Sequence, residues 1–502
     1  MKSIANNLDF VFSIRNFGNP CLPDRQAKFA ILLFVLLLFF TAIFTNCTND
    51  RNVGKDKKTG YDNQPAETMD NLEKGKVTDT VHLFSDQEIS YALFLPSRYD
   101  KGRKWPVIFF FDPHAKGSYP LIKYSDMAEK YGYILAGSNT IRNGMPMSAV
   151  EEHAVMLMAD VSERVSVNGR RVYLAGFSGG ARVAAYIAMK YDYISCVIGC
   201  GAGSHEIMNI TRPGFSYLAF AGNEDFNFIE LKKLNSALDN LPARHYLFEF
   251  TGKHEWPAEA IFETTFIWTE LDAMRKQVIP VDDSLVRDCG KTFAEEIDSL
   301  EMAKDLLKTE DACRRYITFL EGFTNIEKSR IKIETMETNG KLENLKKSEN
   351  ELLNQESRQQ EVYLQHLQNK DIRWWENESR RLISLSTDSK SPSSLSVKRL
   401  LGYLSLACYM YSANFLNKND LATAEHFIIV YKLLDPHNPE HNYLLASVNA
   451  RRGILEKVLS ELKNAVKLGF DDYGRMEKDS NFVSYRQTPE FRKILSDIIK
   501  PE

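Results

Sequence analysis

Between Val81 and Lys276 the sequence alternates short apolar runs with segments of helical periodicity, and this alternation restricts the fold more than any other feature. Strands alternating with helices predict a mainly parallel sheet, because each crossover helix returns the chain to the same edge. The first two runs are separated only by Ser85 to Glu88 and predict an antiparallel hairpin. We therefore predict an α/β domain over residues 79–276. The eight strand candidates read VHLF, ISYALFL, VIFFF, YILAG, RVYLAG, CVIGCG, YLAFAG and HYLFEF.

The composition excludes several classes of protein. The chain has 502 residues, 44% hydrophobic and 26% charged, which is typical of folded domains and not of disordered or collagen-like chains. At roughly 100 to 200 residues per domain, this length predicts two to four domains. With 63 basic and 67 acidic residues, and no basic stretch interleaved with aromatics, nucleic acid is not an expected partner.

The N-terminal segment predicts export. Residues 29–44 read FAILLFVLLLFFTAIF without a charge, and as a helix they span about 24 Å, which is short for a membrane-spanning segment. Cys47 follows this run and precedes a polar stretch, so residues 1–47 resemble a bacterial lipoprotein signal in which Cys47 is lipidated. An uncleaved anchor and ordinary secretion are the alternatives. Residues 48–78 predict a flexible tether that holds the body near a membrane.

The remaining cysteines do not predict a disulfide framework or a metal site. Their number is odd and their spacing irregular, so we interpret them as buried small apolar residues and expect no metal or cofactor. They are Cys196, Cys200, Cys289, Cys313 and Cys408.

The second half of the chain is helical in pattern. Residues 277–395 carry long charged segments that predict solvent-exposed helix faces. In residues 396–502 an apolar pattern repeats after 34 positions, a period typical of helix-turn-helix repeats. The segment resembles the tetratricopeptide repeat family, which implies a helical cap that stabilises its neighbours or a surface that binds a protein partner. The matched pairs are Ala424 with Val458, Ile428 with Leu462, Tyr431 with Ala465 and Tyr411 with Leu445, whereas Leu404 falls opposite Asn438.

The segment RVYLAGFSGGARVAAYIAMKY carries a Gly-x-Ser-x-Gly motif directly after a strand and directly before a helix. In this setting the serine lies on a tight turn, where small flanking residues permit a strained backbone and expose the hydroxyl. The helix that follows places its positive N-terminal end beneath developing negative charge. The motif predicts Ser178 as a nucleophile and the backbone N–H of Gly179 as an oxyanion donor.

A serine hydroxyl needs a base, and the base needs an acid that orients it. His254 follows the last strand, and Asp225 follows the strand before it. Both lie at the sheet edge where ligands bind in open α/β sheets. The order serine, aspartate, histidine along the chain is also the order expected of this architecture. We predict Ser178, His254 and Asp225 as a catalytic triad, with Glu224 as the competitor for the acid because it is adjacent.

The second oxyanion donor is predicted in the loop after VIFFF. Pro113 has no N–H, which leaves His114 or Ala115. Phe177 and Trp256 are candidates for an apolar wall of the substrate pocket, with ordinary packing as the alternative.

These motifs together resemble the α/β-hydrolase superfamily, particularly its small secreted esterases and polyhydroxyalkanoate-depolymerase-like members, over residues 81–276. The resemblance implies an exported serine esterase that cleaves small-molecule or polymeric esters through an acyl-enzyme. Two alternatives are an inactive hydrolase-like protein whose helical C-terminus binds a partner, and a peptidase on the same triad. Because no long insertion separates the strands, we expect an open site.

Overall fold

The computed structural model describes residues 72–204, 206–207, 213–388 and 393–499. The predicted signal, Cys47 and residues 48–71 of the predicted tether lie outside these residues. Among the helices within the described ranges, none combines the length and apolar character needed to cross a bilayer.

One eight-stranded sheet forms the first part of the described chain, as the alternating pattern predicts. Its strand order is β1-β2-β4-β3-β5-β6-β7-β8. β2 is antiparallel to β1 and to β4, whereas all other neighbours are parallel. The prediction of an α/β fold with a mainly parallel sheet, followed by a helical region, is confirmed. The strands are β1 Val77–His82, β2 Ser90–Phe94, β3 Trp105–Phe111, β4 Ile134–Ser138, β5 Val167–Phe177, β6 Ile194–Cys200, β7 Ser216–Gly222 and β8 His245–Phe250.

The central strands are buried on both faces. Every residue of β3, β4 and β7 is buried, and successive strand side chains point to opposite sides, so both faces of the sheet are covered. Such strands read as continuous apolar runs, which explains why VIFFF and YLAFAG lack polar alternation. The parallel register aligns the strand ends: Phe111 is opposite Gly176, and Gly176 is opposite Gly199.

Helices alternate with the strands and then continue alone to the C-terminus. They are α1 Ser118–Tyr131, α2 Met147–Arg164, α3 Gly179–Lys190, α4 Phe228–Leu238, α5 Glu259–Arg275, α6 Asp283–Met302, α7 Leu306–Leu320, α8 Glu327–Thr338, α9 Lys341–Asn369, α10 Ile372–Thr387, α11 Ser394–Asn417, α12 Leu421–Leu434, α13 Glu440–Arg451, α14 Leu455–Lys467, α15 Tyr473–Lys478 and α16 Pro489–Ile499, with a 3-10 turn at Ser480–Phe482.

The core of the sheet extends into the first helices after it. Phe319 of α7 lies 6.0 Å from Phe248 of β8 and 4.9 Å from Trp268 of α5, measured between ring centroids. Cys289 and Phe293 of α6 belong to the same apolar cluster. The packing therefore continues past the predicted boundary at residue 276, because α6 and α7 cover apolar surface at the β8 side of the sheet.

The repeated pattern near the C-terminus falls on helices. α12 and α14 begin 34 positions apart, at Leu421 and Leu455. The repeated residues Ala424, Ile428, Tyr431, Val458, Leu462 and Ala465 are all buried. Their spacing is therefore explained by packing within helical pairs, while membership of the tetratricopeptide repeat family stays a prediction.

The described residues divide into two compact units. Residues 144–150 belong to one, which contains Gly144 at φ 88° and the first residues of α2. All other described residues, including the sheet and the helices from α3 onward, belong to the second. Cys196, Cys200, Cys289, Cys313 and Cys408 are free and buried, as the interpretation of small apolar residues requires.

Candidate active site

Ser178 lies in a strained turn between β5 and α3. β5 ends at Phe177 and α3 begins at Gly179, so Ser178 alone forms the junction. Its backbone has φ 52° and ψ −120°, in a region that residues with a side chain rarely occupy. The Ser178 N–H donates to the carbonyl of Cys200 at 2.8 Å, which ties the turn to the end of β6.

The two outer glycines of the motif are required by space. A β-carbon at Gly176 would overlap the carbonyl of Gly180, and a β-carbon at Gly180 would overlap the carbonyl of Phe111 in β3. Only glycine allows these backbones to approach so closely. The motif therefore encodes a turn pressed against the sheet, with Ser178 at its tip.

Asp225 and His254 form a hydrogen-bonded pair. His254 Nδ1 is 2.9 Å from Asp225 Oδ1 and 3.0 Å from Oδ2. Asp225 is 1% exposed, and its Oδ1 also accepts from the N–H of Asn227 at 2.7 Å. A carboxylate held in this way orients the imidazole and leaves its Nε2 for a second partner.

Glu224 points to a different partner. Its Oε1 is 2.5 Å from Lys398 Nζ in α11, so it is ion-paired with the helical region and not with His254. The choice between the two adjacent acids depends on the backbone of the loop. Asn223 N–H donates to the carbonyl of Phe250 at 2.8 Å, and Glu224 N–H donates to the carbonyl of Gly252 at 2.9 Å. These bonds fasten the acid loop to the histidine loop.

Both predicted second oxyanion donors are already paired. The N–H of His114 donates to Asp112 Oδ1 at 2.9 Å, and the N–H of Ala115 donates to the carbonyl of Asp112 at 3.1 Å. Ala115 also has a positive φ of 59°. Gly179 differs, because it is the first residue of α3 and its N–H has no partner within the helix.

Asp112 links the loop after β3 to the histidine loop. Its Oδ2 accepts from the indole N–H of Trp256 at 3.1 Å. Burial alone raises the pKa of the Asp112 carboxyl, but hydrogen bonds from the side chain and backbone of His114 and from Trp256 outweigh it, so the pKa lies below its ordinary value. The carboxylate therefore stays ionised and holds both loops.

Phe177 and Trp256 are buried near His254. Phe177 lies 4.6 Å from the ring of His254 and 5.6 Å from that of Trp256, measured between centroids. Trp256 also packs on Phe110 and Tyr124. Trp256 therefore has the contacts of a core residue, which was the alternative to a pocket wall, and Phe177 packs against the imidazole of His254.

Asn143 is the residue near the turn that the sequence prediction missed. A β-carbon at Gly179 would overlap Oδ1 of Asn143 and would lie 3.3 Å from its Nδ2, so the carboxamide covers the start of α3. The N–H of Asn143 donates to the carbonyl of Pro113 at 2.9 Å. Because β4 is parallel to β3, the loop after β4 lies beside the loop after β3, and a search of that loop for polar residues could have found Asn143.

No hydrogen bond joins Ser178 to His254 in the part of the chain that the structure describes. In ligand-free enzymes this contact is often long and shortens when substrate binds. Nor do the described ranges contain a group of three or more His, Cys, Asp or Glu side chains that could hold a metal ion. The chemistry available at this edge of the sheet is that of a hydroxyl, an imidazole and a carboxylate.

Comparisons with known proteins give likenesses at low identity. No family model matches the chain, and no curated protein matches it. The solved fluorophosphonate-binding serine hydrolase F of Staphylococcus aureus is 10% identical with a TM-score of 0.32, and the match covers 39% of this chain and 97% of that chain.

Two further solved structures are similar over the same share of the chain. Thermogutta terrifontis esterase 2 is 12% identical with a TM-score of 0.33, covering 43% of this chain and 98% of that chain. A ferulic acid esterase from the anaerobic fungus Anaeromyces mucronatus is 20% identical with a TM-score of 0.31, and the match covers 40% of this chain and 94% of that chain. At these values we infer neither fold nor reaction from the matches; the fold rests on the strand order described above.

Proposed function

We propose that the protein is a serine hydrolase that cleaves carboxylic esters through an acyl-enzyme. The observation that carries this proposal is the Asp225–His254 pair, bonded at 2.9 Å, at the same sheet edge as the strained Ser178 turn. Strain at a turn that exposes a hydroxyl serves no packing purpose and is typical of a nucleophile. The aromatic contact between Phe177 and His254 supports the imidazole at this edge.

The reaction proceeds in two halves. Ser178 Oγ attacks the ester carbonyl carbon while His254 Nε2 takes the hydroxyl proton, and Asp225 stabilises the resulting imidazolium. The tetrahedral intermediate collapses, and the alcohol leaves with the proton from His254. A water molecule then attacks the acyl-enzyme by the same route, which releases the carboxylic acid and restores Ser178.

The experiment is pre-steady-state hydrolysis of p-nitrophenyl acetate by purified protein. We expect a burst of p-nitrophenol that approaches one per chain, followed by slower turnover, because acylation of a good leaving group outpaces deacylation. A matched assay with a p-nitroanilide tests the peptidase alternative. Because an amide is harder to acylate than an ester, we expect an esterase to hydrolyse the anilide much more slowly than the ester. Absence of turnover with every ester tried contradicts the proposal.

The second oxyanion donor in this proposal is the side chain of Asn143. The N–H groups of His114 and Ala115 are paired with Asp112, whereas the Asn143 carboxamide lies beside Gly179. A half-turn of the carboxamide exchanges its oxygen and nitrogen, so the side chain can present an N–H to the oxyanion beside that of Gly179.

Asn143→Ala is therefore expected to lower kcat by about 10²- to 10³-fold with little change in KM, because one oxyanion donor is commonly worth about 3 to 4 kcal/mol in the transition state. Asn143→Asp, of almost the same size, should lower kcat further because a carboxylate repels the oxyanion. Steady-state kinetics on p-nitrophenyl acetate check both. If Asn143→Ala retains the wild-type kcat, another group must be the second oxyanion donor.

Export and attachment to a membrane through Cys47 belong to the same proposal. They are supported by the uncharged run and the cysteine that follows it in the sequence. Mass spectrometry of the mature N-terminus, with Cys47→Ala as the control, tests them independently of the catalytic residues.

A further inference from the structure

Helix α11 of the helical region packs against the loop that carries the catalytic acid. Arg399 Nη1 donates to the carbonyl of Asn223 at 2.7 Å, although the two residues are 176 positions apart. The same guanidinium donates to Glu356 of α9 through Nε at 2.8 Å and Nη2 at 2.6 Å. Arg399 is 7% exposed and Glu356 is 2% exposed, so the ion pair is removed from water.

This buried pair has a geometric role. Removing two charges from water costs free energy that the pair itself often fails to recover, so such a pair is weak evidence for stability. Here the planar guanidinium fixes three acceptors at once, and one of them is the backbone of the acid loop. The Arg399 guanidinium also lies 4.8 Å from the ring of Phe228, which begins the helix after that loop.

A second contact reaches the imidazole itself. The ring of Phe226 lies 4.1 Å from the ring of His254, measured between centroids. Phe226 also lies against α11 at Gly402, where a β-carbon would lie 3.4 Å from Phe226 Cδ1, an ordinary van der Waals contact. Phe226 therefore contacts both α11 and the proposed base.

The helical region also reaches the loop on the opposite side of the site. Lys116, in the loop after β3, is 3.5 Å from Asp471, between α14 and α15. Lys398 of α11 meets Glu224 in the acid loop. Both ion pairs are partly exposed and contribute little free energy on their own, but they show that the helical region borders the site at two loops.

We propose that helix α11 is a positioning element of the catalytic site, which holds Asp225 and His254 in register through Arg399 and through Phe226 packed on Gly402. This inference rests on the proposed function. It predicts that ester hydrolysis depends on the helical region even though that region supplies no reacting group. Although no long insertion separates the strands, helices after the sheet contact two of the loops at this edge.

The test is a matched pair of glycine replacements in the full chain. Gly402→Leu adds a side chain whose β-carbon would already contact Phe226, and we expect its remaining atoms to displace that ring against His254. Gly290→Leu makes the same change in the interior of α6, where the nearest side-chain atoms are 3.7 Å from a β-carbon and lie outside the site. Leucine is a better helix former than glycine, so both helices should persist.

We expect Gly402→Leu to lower kcat on p-nitrophenyl acetate by on the order of 10²-fold, because a displacement of about 1 Å in a catalytic group has effects of this size. KM for this small ester should change little. Gly402→Ala should stay close to the wild-type kcat, because its β-carbon would only touch Phe226, and Gly290→Leu should retain the wild-type kcat. Thermal unfolding of each variant separates a change in positioning from a loss of fold.

The outcomes distinguish this inference from the proposed function. If the wild-type protein has no esterase activity, the proposed function is wrong. An active wild type in which Gly402→Leu and Gly290→Leu have equal kcat overturns the role of α11. If Gly402→Leu does not fold, Arg399→Lys keeps a positive charge beside Glu356 but lacks the planar fork that also holds the carbonyl of Asn223; a kcat reduced at least tenfold supports the role, and an unchanged kcat overturns it.

Discussion

Ser178→Ala will abolish ester turnover, with an expected loss in kcat of roughly 10⁴- to 10⁶-fold. Alanine has no atom that can form the acyl bond, so only the slow reaction promoted by binding and oxyanion donors remains. The fold should persist, because the change removes one hydroxyl from a turn whose shape is set by Gly176 and Gly180. Steady-state turnover of p-nitrophenyl acetate and the thermal unfolding midpoint check the two parts.

The matched control is Ser162→Ala, an exposed serine of α2 whose hydroxyl donates to the carbonyl of Met158. It should retain the wild-type kcat. Turnover by Ser178→Ala equal to that of Ser162→Ala would mean that another group is the nucleophile, and the whole proposed mechanism would be wrong.

Asp225→Asn is the second change with a large expected effect, a loss in kcat of about 10⁴-fold. Both carboxylate oxygens face Nδ1 of His254, and an amide at this position no longer stabilises the imidazolium or selects the tautomer that accepts the serine proton. Because Asn and Asp have nearly the same shape, the buried loop should keep its conformation. Kinetics on p-nitrophenyl acetate measure the loss.

Glu224→Gln is the control for the neighbouring acid. It removes the ion pair with Lys398, which is partly exposed and worth at most about 1 kcal/mol, so kcat should fall by less than about fivefold. A larger loss in Glu224→Gln than in Asp225→Asn would reverse the assignment of the acid.

The strands, and the location of Ser178, Asp225 and His254 just after strand ends, could be predicted because their signals are local. Apolar runs such as VIFFF and YLAFAG mark buried parallel strands, and parallel strands place the residues after them at one edge. Ser178 and His254 each follow such a run, so chain order and strand ends were sufficient to predict their roles, whereas for the acid the same signals left Glu224 as the competitor of Asp225. The predicted signal and Cys47 lie outside the described residues, so the structure adds nothing to that prediction.

The choice between Glu224 and Asp225 could not be made from the sequence. It depends on the bonds from Asn223 to Phe250 and from Glu224 to Gly252, which join two loops. The oxyanion loop presents the same difficulty. Asp112 accepts hydrogen bonds from the N–H groups of His114 and Ala115, the two predicted donors. The sequence could not show this, because it depends on the conformation of the backbone.

The contact between the helical region and the acid loop could not be predicted from local patterns. A helix that is distant in sequence can pack on a loop at the end of a strand, whereas the expectation of an open site, which rests on the absence of a long insertion between the strands, stays a prediction. Arg399 and Gly402 look like ordinary helix residues in the sequence. Their contacts with Asn223 and Phe226 exist only because the helical region folds back over the acid loop.

The central claim is that Ser178 is the nucleophile, and covalent labelling tests it most directly. A fluorophosphonate probe reacts when an activated serine Oγ displaces fluoride and forms a stable phosphonate ester. Peptide mass spectrometry of the labelled full chain should locate one adduct per chain on Ser178, and none in Ser178→Ala. An adduct on another residue, or no adduct on a protein that hydrolyses esters, would contradict the account.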